Sequence, residues 1–462
     1  MFERKKKQTK GLSIIIVGCG KVGITLVQRL VKEGHDISVI DKNPDKISKV
    51  MNSYDVFGVV GNGASYRVQM EAGLETADIL VAVTGSDELN LLCCVVAKQA
   101  GDCDVIARVR TPDYSEDIDY LQRELGLAMV INPEKETAKA ISRILYMPTA
   151  LEVIPFARGL AEVVRIKLLK GNPLADKTIS ELSLELSGAV LICAVEREGK
   201  VYIPNGAFRL EAGDVISFIS PVREGRKFLR RMGFHTHRVN NALIVGGSRS
   251  AYYLAKLMAK HGMDVKLIES DRAQCEYLSE LLPDAIIING NGNDEELLKE
   301  VGIEYAESFV PLTGIDEENI LLTLYAQKVS DAKVVTKINR INFHEVIDNL
   351  DLGSVVYPKY ITTEAIVRYV RTKKASMNSN IEAMTHMYDD RVEVIEFLIE
   401  HPSKVTNTSL MQLSLRNDLL IACIERDNKV IIPNGSDEIR VGDSVIIVTT
   451  HTGFTDILEI LK

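Results

Sequence analysis

No apolar run in the sequence approaches the roughly 20 residues that a membrane-spanning helix needs, so nothing in it reads as a transmembrane segment. No long apolar stretch follows the charged residues at the start, and no secretory leader is expected. Positive charge is not in excess. Against 64 Asp and Glu stand 55 Lys and Arg, and the net charge of −9 argues against a general nucleic-acid binder. The seven cysteines (Cys19, Cys93, Cys94, Cys103, Cys193, Cys275, Cys423) are odd in number and form no Cys-x-x-Cys. That scatter fits reduced, buried thiols in a cytoplasm better than a disulfide framework or a zinc site. The eight histidines are dispersed; His235-Thr236-His237 has no cysteine or carboxylate company and reads as linker surface, so no metal is expected. What remains is ordinary globular composition, 46% hydrophobic and 26% charged over 462 residues. Length alone suggests about three or four domains with sizeable cores.

One stretch organises the rest. Ile14-Ile15-Ile16-Val17 is wholly apolar and β-branched, as a strand buried on both faces should be. Gly18-Cys19-Gly20-Lys21-Val22-Gly23 follows at once, and Ile24, Leu26, Val27, Leu30 and Val31 then recur at helical spacing. A second apolar run, Ile37 to Ile40, ends on Asp41. Strand, Gly-x-Gly-x-x-Gly turn, helix and acid are in register for a dinucleotide site. The first glycine permits the tight turn, the second lets backbone approach a pyrophosphate, and the third lets helix pack on strand. Pyrophosphate charge would meet free N–H groups at the positive end of a helix, and Asp41 would accept hydrogen bonds from an adenosine ribose.

Residues 1–11 carry Arg4, Lys5, Lys6, Lys7 and Lys10. They read as a solvated tail, with an anchor for an anionic membrane surface as the alternative. Residues 12–148 alternate strand and helix six times, with strands near 13–17, 36–40, 56–60, 79–83, 104–109 and 129–131, and helices such as Leu89 to Gln99 and Tyr114 to Leu125. The pattern predicts a doubly wound parallel sheet with ligand at the carboxyl ends of its strands. The residues expected there are Asn62 and Gly63 after strand three, Thr84 and Gly85 after strand four, and Arg108 at the end of strand five. Residues 149–238 then give short strands (Val163 to Leu169, Val190 to Glu196, Val215 to Ile219), a helical piece at Thr178 to Leu184, and turns at Ile203-Pro204-Asn205-Gly206 and Gly213-Asp214. This predicts a small α+β lobe and a linker.

The chain then begins again. Ala242 to Val245 runs into Gly246-Gly247-Ser248-Arg249-Ser250-Ala251, and Glu269 falls opposite Asp41. Gly290-Asn291-Gly292 repeats Gly61-Asn62-Gly63, Thr313-Gly314 repeats Thr84-Gly85, and Lys337 takes the place of Arg108. Ile421 to Arg426, Ile432 to Gly435 and Gly442-Asp443 answer the elements of the first lobe. Residues 239–373 and 374–462 therefore repeat 12–148 and 149–238. The expected fold is α/β: two tandem Rossmann-like doubly wound domains, each followed by a small α+β C-terminal lobe. Ser248 puts a side chain where Gly20 leaves bare backbone, so the second site is expected to differ in ligand, bind weakly or stand empty. No acid–base constellation of a dehydrogenase is found, and Tyr369-x-x-x-Lys373 reads as a chance match to a catalytic spacing. No catalytic residue is assigned.

The Gly18–Gly23 fingerprint, Asp41, Gly61-Asn62-Gly63, the run Thr84 to Asn90, and Ala107-Arg108-Val109-Arg110 together resemble an RCK (KTN) domain. The small domain, with Ile203 to Gly206 and Gly213-Asp214, resembles the companion C-terminal lobe. The duplicated order is similar to that of the peripheral subunits of Trk-type potassium-uptake systems. The resemblance implies NAD(H) at the first site and ATP/ADP or NAD(H) at the second. It also implies a dimer or tetrameric ring, a place on the inner face of the cell membrane, and docking beneath a membrane potassium-translocating subunit. The departures are Ser248, Ala251 and the basic tail. An NAD-dependent oxidoreductase and a nucleotide sensor for a different transporter stay open as alternatives.

Overall fold

The computed structural model describes residues 11–462 except 113, 115–117, 148, 183–187, 235–238, 340–349, 351, 379, 389–390 and 455. Most of the basic tail and the His235–His237 pair thus lie outside the described residues. The chain forms two compact units. One holds the residues up to Thr137 together with Tyr357–Val370, and the other holds Ala138–Val356 and Arg371–Lys462.

In the first unit the strands are β1 (Ser13–Val17), β2 (Asp36–Asp41), β3 (Phe57–Val60), β4 (Ile79–Ala82), β5 (Asp104–Arg108) and β6 (Met129–Ile131), within one residue of expectation at each end. All pair in parallel in the order β3-β2-β1-β4-β5-β6, so the order reverses between β1 and β4. The apolar run Ile14–Val17 is central and no more than 2% exposed at any residue. Burying each such side chain stabilises by about 1.5–3 kcal/mol, an upper estimate against an extended chain. The helices are α1 (Lys21–Lys32), α2 (Pro44–Ser53), α3 (Tyr66–Glu71), α4 (Asp87–Ala100), α5 (Ile118–Glu124) and the start of α6 (Pro133–Tyr146). Local chemistry sets their beginnings. Asn43 Oδ1 accepts from the Asp45 and Lys46 amides with Pro44 at the first helical position, and Ser86 Oγ accepts from the Leu89 amide.

A segment from far along the chain completes this unit. Ile366, Val367 and Val370 are fully buried in the core formed by β1 and α1. Arg29 pairs with Glu364 at 2.9 Å, and the Tyr369 hydroxyl donates to Asp104 Oδ2 at 2.7 Å. Burial first, and then Asp104, hold the Tyr369 hydroxyl above its ordinary pKa. Tyr369 of the Tyr-x-x-x-Lys match thus has a structural partner at the amino end of β5.

In the second unit, β12 (Asn241–Val245), β13 (Asp264–Glu269), β14 (Ala285–Asn289), β15 (Ser308–Pro311), β16 (Lys333–Lys337) and β17 (Ser354–Val356) repeat the parallel order, β14-β13-β12-β15-β16-β17. The first lobe is a sheet of β7 (Glu152–Phe156), β8 (Ala161–Lys167), β9 (Leu191–Arg197), β10 (Lys200–Tyr202) and β11 (Val215–Pro221), in the order β10-β9-β11-β8-β7. Strands β7 and β10 were not expected. Both are edge strands, and Pro155 is tolerated in β7 because an edge needs fewer ladder donors. The second lobe has the same form, with β18 (Ile381–Met387), β19 (Val392–Leu398), β20 (Leu419–Arg426), β21 (Lys429–Ile431) and β22 (Ser444–Thr449). A repeated bidentate pair explains the Gly-Asp turns. Arg197 Nε and Nη2 donate to Asp214 at 2.7 and 2.8 Å, and Arg426 does the same to Asp443 at 2.7 Å in both bonds. The two lobes share one apolar core, in which Val163 and Ile219 meet Val394 and Ile446. All seven cysteines are buried and none forms a disulfide. Among the described residues no helix is long and apolar enough to cross a membrane.

Candidate functional site

The first loop leaves β1 through Gly18, whose φ of +107° lies in the region that favours glycine. A Cβ at Gly23 would fall 1.9 Å from the Gly18 carbonyl oxygen, so the third glycine is fixed by the close approach of α1 to the loop. Gly20 differs: a Cβ there would meet nothing within 4 Å. Gly85, after β4, is equally open. Both glycines flank the point where the strand order reverses, the place at which doubly wound sheets take their ligands. The loop therefore keeps bare backbone toward free space, and the residues fit a pyrophosphate.

Asp41 stands beside the loop at the end of β2. Its Oδ2 accepts the Cys19 amide at 2.8 Å and its Oδ1 the Asn43 amide at 2.9 Å, with Lys46 Nζ 3.9 Å away. The carboxylate is thus oriented by two backbone amides. Burial, and after it the Asp41 charge, push the Cys19 thiol up to about 11, so it is neutral at physiological pH. Gly63 packs under the loop, where a Cβ would lie 2.2 Å from Val17 Cγ1. Asn62 caps its own turn by accepting the Ala64 amide at 3.2 Å. Lys21 is exposed at the mouth and Val22 is buried in α1.

Thr84 and Arg108 are brought together by a residue not counted among the site residues. Asn90 Oδ1 accepts the amide and hydroxyl of Thr84, both at 2.8 Å, and its Nδ2 donates to the Arg108 carbonyl at 2.8 Å. Arg108 Nη2 in turn donates to the Thr84 carbonyl. Asp87 clamps the next turn, accepting the amides of Arg110 and Thr111 and the Thr111 hydroxyl at 2.8–2.9 Å. Burial alone would raise the Asp87 pKa, but these hydrogen bonds outweigh it and hold the carboxyl below its ordinary value. Its stabilisation is therefore full at neutral pH and is lost as the pH falls below about 4. Asp87→Asn is expected to destabilise the first unit by about 2 kcal/mol at pH 7 and by less at pH 3. Urea melts at the two pH values check this, and an equal loss at both would remove the charge from the account.

The second copy repeats the frame with altered parts. Gly246 has φ +98°. Gly247 donates its amide to Glu269 Oε2 at 2.6 Å, as Cys19 does to Asp41, and Glu269 Oε1 accepts the Asp271 amide at 2.8 Å. The longer glutamate is accommodated because residue 247 lacks a side chain; a Cβ there would lie 2.9 Å from Glu269 Oε2. Cys19 with Asp41 and Gly247 with Glu269 are thus two solutions to one spacing. Ser248 precedes the helix α9, counting the lobe helices α7 (Ile179–Leu182) and α8 (Val222–Arg231) before it; α9 spans Arg249–Lys260. The Ser248 hydroxyl does not cap that helix, and its Oγ is buried without a hydrogen-bond partner. Arg249 is exposed and Ser250 buried. Thr313 is held by Asn319 as Thr84 is by Asn90, with Asn319 Nδ2 reaching the Lys337 carbonyl at 3.0 Å. Lys337 is only 6% exposed and its Nζ donates to the Leu312 carbonyl at 3.0 Å, so the ammonium is turned into the sheet end. Gly290 and Asn291 form the loop after β14, where Asn291 Oδ1 accepts the Asn293 amide at 3.0 Å. The repetition of Asn90 as Asn319 and of Asp87 as Asp316 was the sequence signal for these clamps.

The TrkA-N domain model matches residues 14–133 and again 242–358, which together take in more than half of the chain. The TrkA-C domain model matches 163–233 and 394–462. The Trk system potassium uptake protein TrkA homolog of Archaeoglobus fulgidus is 29% identical over 451 residues, covering 98% of this chain and all of its own. The Trk system potassium uptake protein TrkA of Haemophilus influenzae is 29% identical over 440 residues, covering 94% of this chain and 95% of its own. Among solved structures, the GsuK channel bound to NAD superposes with a TM-score of 0.62 at 18% identity, covering 96% of this chain and 78% of the channel's. That likeness speaks for the fold.

Proposed function

The chain belongs to the family built from TrkA-N and TrkA-C domains, and from that premise we propose that it is a nucleotide-binding regulatory subunit of a Trk-type potassium-uptake system. The observation that carries the reading is the bare backbone at Gly20, open to space beside the pre-oriented Asp41. The relatives named as Trk potassium-uptake proteins match over nearly their whole length and so support the transport context. Gly18, Cys19, Gly20, Lys21, Val22 and Gly23 would receive the pyrophosphate of NAD(H), Asp41 the adenosine ribose, and Asn62, Gly63, Thr84, Gly85 and Arg108 would wall the site. Gly246 to Ser250 with Glu269, Gly290, Asn291, Thr313 and Lys337 would form a second site for ATP/ADP or NAD(H). The protein would act as a dimer or tetrameric ring on the inner face of the membrane, beneath a potassium-translocating subunit.

Regulation requires that the nucleotide bind two conformations with different affinity, since a ligand indifferent to the two states shifts neither. The loops lie at the carboxyl ends of both parallel sheets, where a ligand would bias the arrangement of neighbouring elements. Asp41 accepts two backbone amides, and a 2′-phosphate beside it would meet like charge. Titration of the full chain is expected to give tighter binding of NADH than of NADPH. Asp41→Ala should weaken NADH roughly tenfold and narrow that difference. Tighter NADPH binding by the unmodified chain would overturn the assignment. In cells with a Trk-type translocating subunit, removal of this chain should change potassium uptake; unchanged uptake would point to another transporter.

A further inference from the structure

Among the described residues the last helix of the second Rossmann-like domain follows α10 (Arg272–Leu281), α11 (Glu295–Glu300) and α12 (Asp316–Val329) and is written α13 (Pro358–Asn378). Its first part packs in the first unit. Two contacts set its direction there. Tyr369 bonds Asp104, the residue that opens β5, and so lies at the amino edge of the sheet. Glu364 pairs with Arg29, on the later turns of α1. Ten residues back from Tyr369, roughly 15 Å along a helix axis, Lys359 falls toward the carboxyl edge, near enough to Lys21 for the two charges to act on one another. The helix therefore runs alongside α1 with its amino end toward the loop.

Lys359 feels its neighbourhood. Burial first, and then the like charge of Lys21 in the loop, hold its ammonium below the ordinary lysine value. Among the described residues neither Lys21 nor Lys359 is paired with a carboxylate. The Lys359 Nζ lies over the Tyr360 ring, 4.9 Å from its centroid. Two unneutralised ammonium groups at the mouth of an anion-binding loop repel each other until an anion comes between them. The first copy has no such feature. Its TrkA-N match ends at Pro133 and is followed by Glu134, whereas the second ends at Pro358 and is followed by Lys359.

We propose that Lys359 is a phosphate-binding residue of the first nucleotide site, supplied by the second half of the chain and acting with Lys21 on the phosphate groups of the bound nucleotide. The assignment rests on the nucleotide reading of the first loop. It makes that site complete only when Tyr357–Val370 is seated on the first unit. Binding would then tighten the seating of that helix, because each helps to hold the other.

Calorimetry on the full chain with NADH and with ADP tests this. Lys359→Gln should weaken both roughly tenfold and reduce the salt sensitivity of binding. Lys359→Glu, which imports the acid of the first copy, should weaken them further, and Lys359→Arg should keep most of the affinity. Thermal melts without nucleotide should be alike for all four proteins. Unchanged affinity in Lys359→Gln overturns the proposal. An equal loss in Lys359→Arg, or a lowered melt without ligand, makes Lys359 a scaffold residue and also overturns it. Failure of the unmodified chain to bind either nucleotide removes the parent reading, an outcome distinct from these.

Discussion

Replacing Gly23 with alanine is expected to destabilise the first unit by about 3 kcal/mol and to lower its thermal transition by roughly 10 °C. The new methyl carbon would sit 1.9 Å from the Gly18 carbonyl oxygen. That neighbour is backbone, fixed by the Gly18 amide donating to Ile40 at 2.8 Å and by the left-handed φ of Gly18. Relief requires α1 to back away from β1, which would open the core around Leu26 and Leu30, both fully buried. The second copy carries Ala251 at this position, fully buried in α9, so a loop of this kind can be built around alanine. The two loops must then differ in how closely helix and strand meet. Differential scanning calorimetry on the full chain reads the effect as a shift of one transition. A Gly23→Ala melt that overlays the unmodified one would mean that α1 moves freely, and with it the argument for a rigid loop would go.

Much of this was legible in the sequence, for identifiable reasons. The strands of the first sheet announce themselves because a strand covered on both faces must be apolar at every residue, and Ile14–Val17 and Ile79–Ala82 are. The duplication was legible because Gly18, Gly61 and Gly63 return as Gly246, Gly290 and Gly292, where a positive φ or close packing permits little else. The seating of Tyr357–Val370 on the first unit was not. A helical period says that a helix has an apolar face, not which core receives it, and chain order suggests the nearest one. The exchange of Cys19 and Asp41 for Gly247 and Glu269 was visible as four letters. Its meaning, one methylene gained on the acid and one side chain lost on the loop, needs the 2.6 Å bond from Gly247 to Glu269. Lys337 is expected at the carboxyl end of its sheet because Arg108 stands in that place in the first copy. The structure turns a nitrogen of each side chain onto a backbone carbonyl at the strand ends.

The difference between the sites then falls on Gly20 and Ser248. Gly20→Ser is expected to lower NADH affinity at the first site on the order of a hundredfold while leaving the melt without nucleotide unchanged. The two halves of that expectation have one cause. A Cβ at Gly20 meets nothing within 4 Å in the protein, so folding has no reason to object. The same open space is where a pyrophosphate would press against the loop, so the ligand does. ADP, whose phosphate chain ends instead of crossing the loop to a second nucleoside, should lose less. Ser248→Gly is the converse. The Ser248 hydroxyl makes no hydrogen bond and caps no helix, so its removal sacrifices none. The bared loop should gain NADH binding at the second site, counted as a second equivalent in the titration. Arg249 stays exposed beside it in either form and can pair with a terminal phosphate, so ADP binding there should persist. Normal NADH affinity in Gly20→Ser, or no second equivalent in Ser248→Gly, would mean that loop shape does not separate the sites. The distinction would then lie in the acids, where Asp41→Glu with Cys19→Gly is the double exchange to make next.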